Sequence, residues 1–81
     1  MIKELQKEVK HNMSELKISL KAARVNAGLT QEQAADRIGI ARQTLVNYET
    51  GKTFPDIKTL RRIADVYGID KDRISFFADN P

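Results

Sequence analysis

The sequence predicts an all-α domain of five helices without strands, and three observations support this class. All four glycines directly follow an apolar periodic segment, where residues that end helices are favoured. Within those segments apolar residues recur at three- and four-residue spacings. Residues that can cap a helix stand before three of the predicted helices. The predicted helices span residues 20–27, 31–38, 42–50, 57–67 and about 71–77.

The starts of several helices are marked by side chains that accept hydrogen bonds from backbone N–H groups. Thr30 and Gln33 form the pattern of a capping box before the second helix. Asp56 can cap the fourth helix, and Asp70 can cap the fifth. Only Ile38-Gly39-Ile40 separates the second helix from the third. So short a joint predicts a steep crossing of the two helices, as in a helix-turn-helix.

Length and composition limit the class of protein. The chain has 81 residues, enough for one domain with a modest core, and no cysteine that could support it through a disulfide or a thiolate metal site. No segment approaches the roughly 20 apolar residues of a membrane span, and no signal peptide is visible. We therefore expect a soluble, cytoplasmic protein. The net charge of +3 gives only a mild preference for polyanions.

Catalytic patterns are missing from the sequence. It contains a single histidine, His11, no glycine-rich phosphate loop before a helix, and no paired carboxylates in an apolar setting. We therefore expect no enzymatic activity, no cofactor, no metal site and no small-molecule ligand.

The third helix has two different sides, because successive residues of an α-helix lie about 100° apart. One side is mostly polar and is not needed by the core; it holds Arg42, Gln43, Val46, Asn47 and Thr50. The other side is predicted to be buried and holds Ala41, Leu45 and Tyr48. The polar side is therefore free to enter a DNA groove.

The motifs between residues 20 and 77 resemble the Cro/Xre-type helix-turn-helix family of phage repressors and their bacterial relatives. They include Thr30-Gln31 at the second helix, Glu49-Thr50-Gly51-Lys52 after the third, and Pro55 before the fourth. The resemblance implies a compact lambda-repressor-like DNA-binding domain at residues 19–78, followed by a tail at 79–81. Two residues depart from the family: Ala34 stands where leucine is common, and Ala41 where serine or threonine is common. The second departure removes a cap from the third helix.

The resemblance also implies contacts to DNA. The third helix would lie in the major groove and read bases with Arg42, Gln43, Val46 and Asn47. Arg42 can bind guanine bidentately, Gln43 can bind adenine in the same way, and Val46 can contact a thymine methyl group. The residues expected at the DNA backbone are Gln31, Thr44, Lys52 and Thr53.

One structural contact is implied as well. The family pairs an arginine of the first helix with the glutamate that ends the third, which corresponds here to Arg24 and Glu49. We expect a partly buried ion pair between them, whose loss would cost more than the pair contributes.

The predicted function is a sequence-specific transcriptional regulator of bacterial or phage type, a repressor that binds a double-stranded DNA operator. A domain of this size reads few base pairs, so we expect a homodimer on a two-fold-related site. The candidate interface residues are Ile74, Phe76 and Phe77. Two alternatives remain: an antitoxin that also binds a toxin, and a protein–protein adaptor that keeps the fold without reading DNA.

Residues 1–18 form a predicted extension with an apolar stripe. The stripe repeats at helical spacings and consists of Ile2, Leu5, Val9, Met13 and Leu16. An additional helix, a short dimerisation segment and a mobile arm all agree with this pattern. Of these, we favour a helix packed on a partner chain or on its own domain.

Overall fold

Four α-helices and two short strands follow one another in the computed structural model, which describes residues 17–76. The elements in order are strand β1 (Ile18–Ser19), helices α1 (Leu20–Asn26), α2 (Gln31–Ile38), α3 (Arg42–Glu49) and α4 (Ile57–Tyr67), a 3-10 helix (Lys71–Arg73), and strand β2 (Ile74–Ser75). The apolar stripe of the predicted extension, Phe77 and the tail at 79–81 lie outside the described residues.

The predicted caps of α2 and α4 are present. Thr30 Oγ1 accepts a hydrogen bond from the backbone N–H of Gln33 at 3.1 Å, and Gln33 Oε1 accepts one from the N–H of Thr30 at 3.0 Å. Asp56 Oδ1 accepts from the N–H of Thr59 at 2.8 Å. Hydrogen bonding to Thr59 holds the pKa of the Asp56 carboxyl below its ordinary value. Both helices therefore begin where local side chains satisfy their first N–H groups.

Gly39 ends α2 and makes the short joint to α3 possible. Its φ of 88° lies in the left-handed region, which costs a residue with a Cβ atom far more than glycine. The N–H groups of Gly39 and Ile40 both donate to the carbonyl of Ala35, at 2.8 and 3.0 Å. Since the chain turns within three residues, α3 packs directly against α2.

The core lies between the helices and includes residues from all four. Leu45 of α3 and Ile63 of α4 are its largest fully buried side chains. The remaining buried apolar residues are Leu20, Ala23, Leu29, Ala34, Ala35, Ile38, Ala64, Tyr67 and Ile74. Ala34 and Ala35 of α2 are buried, and their small side chains leave little bulk between α2 and the helices that it contacts. Because Leu45 belongs to the same core, packing fixes one side of α3.

The prediction of a fifth helix, and of a fold without strands, is wrong. Asp70 does cap the segment, but Asp70 Oδ1 accepts from the N–H of Asp72, two residues on, at 3.0 Å, and only a short 3-10 helix follows. The chain then enters β2, where Ile74 pairs with Ile18 in a parallel arrangement. Backbone bonds to β1 replace those that an α-helix would make. The fold class is nevertheless all-α, because each strand has only two residues.

Pairing of β1 with β2 brings a predicted interface residue, Ile74, and the last residue of the predicted extension, Ile18, to the core. Ile74 is only 7% exposed and belongs to the core, so its side chain is unavailable for an interface between two chains. Ile18, the last residue of the predicted extension, is half-buried and packs against the same core.

Candidate nucleic-acid interface

The polar side of α3 faces away from the core. Arg42 and Gln43, at the start of the helix, are exposed, whereas Val46 and Asn47, one turn later, are half-buried. On the opposite side Leu45 is fully buried. The four residues predicted to read bases therefore lie along one side of a helix whose other side is fixed in the core.

The start of α3 differs from the prediction at Ala41. Angular position placed Ala41 on the buried side, but the residue is exposed. Ala41 is the N-cap with φ −71° and ψ 148°, so it precedes the helix and the helical angle does not apply to it. It makes no side-chain capping hydrogen bond. The first turn of α3 therefore has N–H groups that its own cap does not satisfy.

Two hydrogen bonds order the polar side. Gln43 Nε2 donates to Asn47 Oδ1 at 3.1 Å, along one turn of the helix. Arg42 Nη2 donates to Gln31 Oε1 of α2 at 3.3 Å. An open groove beside this contact is lined by Thr30, Gln31, Glu32 and Arg42. The amide pair and the guanidinium are thus held on the surface, where they remain accessible.

The residues predicted to contact the DNA backbone lie around α3. Lys52 and Thr53 are exposed in the loop after the helix. Their N–H groups donate to the carbonyl of Asn47, at 2.9 and 3.3 Å, so the loop folds back onto the end of α3. Thr44 and Gln31 are half-buried.

A buried ion pair fixes the end of α3 to α1. Arg24 Nε donates to Glu49 Oε2 at 2.7 Å, and Arg24 Nη2 donates to Glu49 Oε1 at 3.3 Å. The side chains are 10% and 3% exposed, respectively. Arg24 Nη1 also donates to the carbonyl of Leu29 at 2.9 Å. This is the pair that the family resemblance implies, and its geometry is the bidentate one that strengthens arginine–carboxylate contacts.

Gln31 makes two side-chain contacts that the sequence did not predict. In addition to accepting from Arg42, it donates from Nε2 to Glu49 Oε1 at 3.1 Å. It therefore lies between the ion pair and the exposed guanidinium. Helical periodicity relates neighbours three or four residues apart, and Gln31 is 18 positions from Glu49, so no pattern in the sequence indicates this contact.

Tyr67 is influenced by the same ion pair. Burial raises the pKa of its hydroxyl to about 12, the Glu49 carboxylate adds to the increase, and the Arg24 guanidinium opposes it. The hydroxyl has no hydrogen-bond partner within residues 17–76. Its negative form is therefore strongly disfavoured in the folded protein.

An apolar surface lies beside the end of the described chain. The ring of Phe76 packs edge-on against that of Phe54, with 5.6 Å between centroids and 89° between planes. Phe54 and Ile57 are 54% and 56% exposed, and Phe76 is half-buried. We call Phe54 and Phe76 the phenylalanine patch.

Two kinds of feature are absent from residues 17–76. None of the helices in this part of the chain has the length and apolar character needed to cross a membrane. Among residues 17–76, no cluster of three or more histidine, cysteine, aspartate or glutamate side chains is arranged to hold a metal ion.

Comparison with known proteins identifies the architecture. A model of a helix-turn-helix family matches residues 20–74, which include every helix described above. The chain belongs to this family. The match confirms the resemblance inferred from the sequence motifs.

Several regulators are similar to this helix-turn-helix domain. The SPbeta prophage-derived uncharacterized HTH-type transcriptional regulator YonR of Bacillus subtilis is 42% identical over 53 residues, which are 65% of this chain and 49% of YonR. The uncharacterized HTH-type transcriptional regulator MJ0272 of Methanocaldococcus jannaschii is 35% identical over 65 residues, 80% of this chain and 98% of MJ0272. The cryptic phage CTXphi transcriptional repressor RstR of Vibrio cholerae is 37% identical over 46 residues, 57% and 41% of the two chains.

The aligned region is thus a domain of some larger relatives. The chain spans about half the length of YonR and less than half of RstR. No solved structure matches the chain significantly.

Proposed function

We propose that this helix-turn-helix domain is a sequence-specific DNA-binding transcriptional regulator, and that it acts as a repressor. The observation that carries the proposal is the exposed polar side of α3, opposite the buried Leu45, in a chain of this family. The relatives named above are called transcriptional regulators, and RstR is called a repressor. The proposed activity is binding rather than catalysis, and its place is the cytoplasm, where bacterial and phage operators lie.

The proposed reading residues lie on the side of α3 opposite the buried Leu45. The N-terminal residues of a recognition helix reach base edges in the major groove, which assigns Arg42 and Gln43 to direct contacts. The guanidinium of Arg42 matches the O6 and N7 acceptors of guanine, and the amide of Gln43 matches N6 and N7 of adenine. Asn47 is bonded to Gln43 and would orient it or contact a neighbouring base. Val46 would contact a thymine methyl group.

The proposed backbone contacts fix the register of α3 in the groove. Lys52 and Thr53 are supported by their exposure and by the loop that folds onto the end of α3. Thr44, which is half-buried on α3, is the third residue in this group. Such contacts give affinity without sequence preference, and the lysine makes binding depend on salt.

We further propose that the domain binds its operator as a homodimer. Exposed aromatic residues favour an interface, and the phenylalanine patch consists of the exposed Phe54 and the half-buried Phe76. Since Ile74 is buried within its own chain, the proposed interface is Phe76 together with Phe54. Half-sites would then be separated by about one turn of DNA, roughly 34–36 Å.

A pooled selection of random duplexes with the purified protein tests the proposal. We expect enrichment of a two-fold-symmetric sequence with half-sites about 10 base pairs apart. The double variant Arg42→Ala with Gln43→Ala, carried through the same selection, should lose that enrichment and keep its fold. If the unaltered protein enriches no sequence, the regulator proposal is wrong and the adaptor alternative returns. Enrichment of a single half-site without a second copy would support base reading and contradict the homodimer.

A further inference from the structure

The phenylalanine patch is too small to hold two copies of the chain together by itself. Phe54 is 54% exposed, Phe76 is half-buried, and Ile57, three residues after Phe54 in the chain, is 56% exposed. Since a fully covered phenylalanine buries about 150–250 Å², these three partly exposed side chains offer roughly 300 Å² together. A stable dimer covers roughly 800 Å² on each partner. A second copy that covers this surface must therefore bring further apolar area.

Apolar area of this kind is present in residues 1–16, the N-terminal segment, which lies outside the described residues. On a helix with 100° between successive residues, its apolar side chains fall within an arc of about 80°. They are Ile2, Leu5, Val9, Met13 and Leu16. Helices in proteins owe most of their stability to the packing of such a stripe, and an isolated helix of this length is marginal in water. The stripe therefore needs a surface on which to pack.

Charged residues of the N-terminal segment are sorted by sign on the two flanks of the stripe. On the same helix the acidic side chains occupy one flank and the lysines the other. The acidic flank holds Glu4, Glu8 and Glu15, and the basic flank holds Lys3, Lys7 and Lys10. The exposed side of α4, which begins at Ile57, carries Lys58, Arg61 and Arg62 as well as Asp65. This predominantly basic surface complements the acidic flank.

The parallel strand pair places the N-terminal segment and the phenylalanine patch at opposite ends of the small sheet. Ile18 of β1 lies beside Ile74 of β2, and the two strands run in the same direction. The chain therefore enters β1 at the end beside Ile74, whereas Phe76 follows β2 at the other end. Lys17 Nζ donates to the carbonyl of Asp72 at 2.7 Å, which holds the start of β1 at its own end.

This placement decides which copy the N-terminal segment reaches. To cover the patch of its own chain, the segment would have to reverse direction just before Lys17. Residues 1–18 contain neither glycine nor proline, the residues that most strongly mark tight turns. A segment that continues away from its own patch needs no such turn and can meet the patch of a second copy.

We propose that residues 2–16 form a helix whose apolar stripe packs on Phe54, Ile57 and Phe76 of a second copy of the chain. Because a two-fold axis repeats every contact, each copy contributes one segment and receives one. This proposal rests on the homodimer proposed above, and it names the part of the second copy that covers the phenylalanine patch.

Disulfide cross-linking between two different variants tests the contact directly, because the chain has no cysteine of its own. Leu5→Cys, Val9→Cys and Met13→Cys would each be mixed with Ile57→Cys, left to exchange subunits and oxidised. We expect at least one of the three mixtures to give a cross-linked heterodimer by mass spectrometry. Lys7→Cys, on the side of the segment away from the stripe, is the matched control and should give little.

Other cross-linking results would overturn the proposal. A disulfide within one chain, formed when a segment cysteine and Ile57→Cys are combined in the same molecule, would mean that the segment packs on its own domain. Cross-linking of two segments to each other in preference to Ile57→Cys would mean that the segments pair and leave the patch to another surface. Absence of a heterodimer in all three mixtures would likewise contradict the contact.

Sedimentation equilibrium separates a failure of this contact from a failure of the homodimer. The double variant Leu5→Ser with Val9→Ser should raise the Kd of dimerisation by more than about tenfold, since it removes two apolar side chains from the interface. Lys7→Ser with His11→Ser, on the opposite side of the segment, should change it by less than about twofold. An unchanged Kd in the first variant would retain the homodimer and overturn the role of the segment. An unaltered protein that stays monomeric at every concentration would overturn the homodimer itself.

Discussion

The two sides of α3 are held in different ways. On the inner side Leu45 is fully buried and Glu49 is bonded to Arg24 of α1, so both packing and charge hold the helix. On the outer side Arg42 and Gln43 are exposed and make single hydrogen bonds to other side chains. Substitutions should therefore affect folding from the inner side and binding from the outer side. Gln31 connects the inner side to the outer side, because it is bonded to both Glu49 and Arg42.

The largest effect is expected from Arg24→Ala, on the inner side. Glu49 would remain buried without its cation, which typically costs about 3–5 kcal/mol. For an 81-residue chain this is a large share of the whole free energy of unfolding. Urea denaturation followed by circular dichroism measures the loss. The control is Arg61→Ala, an exposed arginine of α4, which should change stability by less than about 0.5 kcal/mol. Equal losses in both variants would show that the pair does not fix α3.

The second effect concerns pH and the Tyr67 hydroxyl. Burial raises its pKa from the ordinary value near 10 to about 12 in the folded protein. Between these values the unfolded chain releases the proton and the folded chain keeps it, so stability falls as pH rises. The difference corresponds to at most about 2.7 kcal/mol.

Tyr67→Phe isolates this contribution. The variant should be at least as stable near pH 7, because it removes a buried hydroxyl without a partner among residues 17–76. From pH 9 to pH 12 it should lose less stability than the unaltered protein in denaturant titrations. Parallel losses in the two proteins would mean that Tyr67 ionises as freely in the folded state as in the unfolded one.

On the outer side, Arg42→Ala should leave the fold intact and weaken operator binding by about 1–3 kcal/mol. The reason is the loss of one bidentate base contact, so the preference at one base pair should relax while the others persist. Fluorescence anisotropy with single-pair operator variants measures both effects. If the variant binds the operator as tightly as before, Arg42 does not contact a base.

A stabilising change is expected at the start of α3. Ala41 is an N-cap without a capping side chain, although its backbone is already extended as a cap requires. Ala41→Ser should therefore add about 1 kcal/mol of stability through a hydrogen bond to a free N–H group. Ala41→Val, which has no acceptor, is the control. Thermal unfolding measures the difference between the two variants. Equal melting temperatures for Ala41→Ser and Ala41→Val would show that α3 gains nothing from a capping side chain.

The smallest effect is expected from Lys52→Ala, in the loop after α3. A phosphate contact carries no sequence information, so binding to operator and unrelated DNA should weaken alike. The slope of log K against log salt should become shallower by about 0.9, the value for one neutralised phosphate. A change in base preference, or an unaltered salt slope, would show that Lys52 does not contact a DNA phosphate.

Local patterns made much of this fold predictable. The capping box of Thr30 and Gln33 and the left-handed Gly39 act within a few residues, and both are present where the sequence predicts them. The burial of Leu45 and the exposure of Arg42 and Gln43 on α3 were predictable for the same reason. Ala41, predicted to be buried, is exposed, and Val46, Asn47 and Tyr48 are half-buried. Helical angles lose their meaning one residue before the helix begins.

The segment after Asp70 shows where local reasoning ends. Asp70 caps a turn, as the sequence indicates, but the next residues enter β2 because Ile74 pairs with Ile18 at the other end of the domain. Nothing near Ile74 signals a partner so distant in the chain. The same is true of Gln31, whose partners Glu49 and Arg42 lie 18 and 11 positions away.

The sequence by itself determined the four helices, the short joint at Gly39 and the outward direction of Arg42 and Gln43, because caps, turns and helical periodicity are properties of neighbouring residues. Only the tertiary structure decided that Ile74 belongs to the core and that Gln31 joins the Arg24–Glu49 pair to Arg42. Those contacts depend on how the helices pack, which brings together side chains that no local pattern relates.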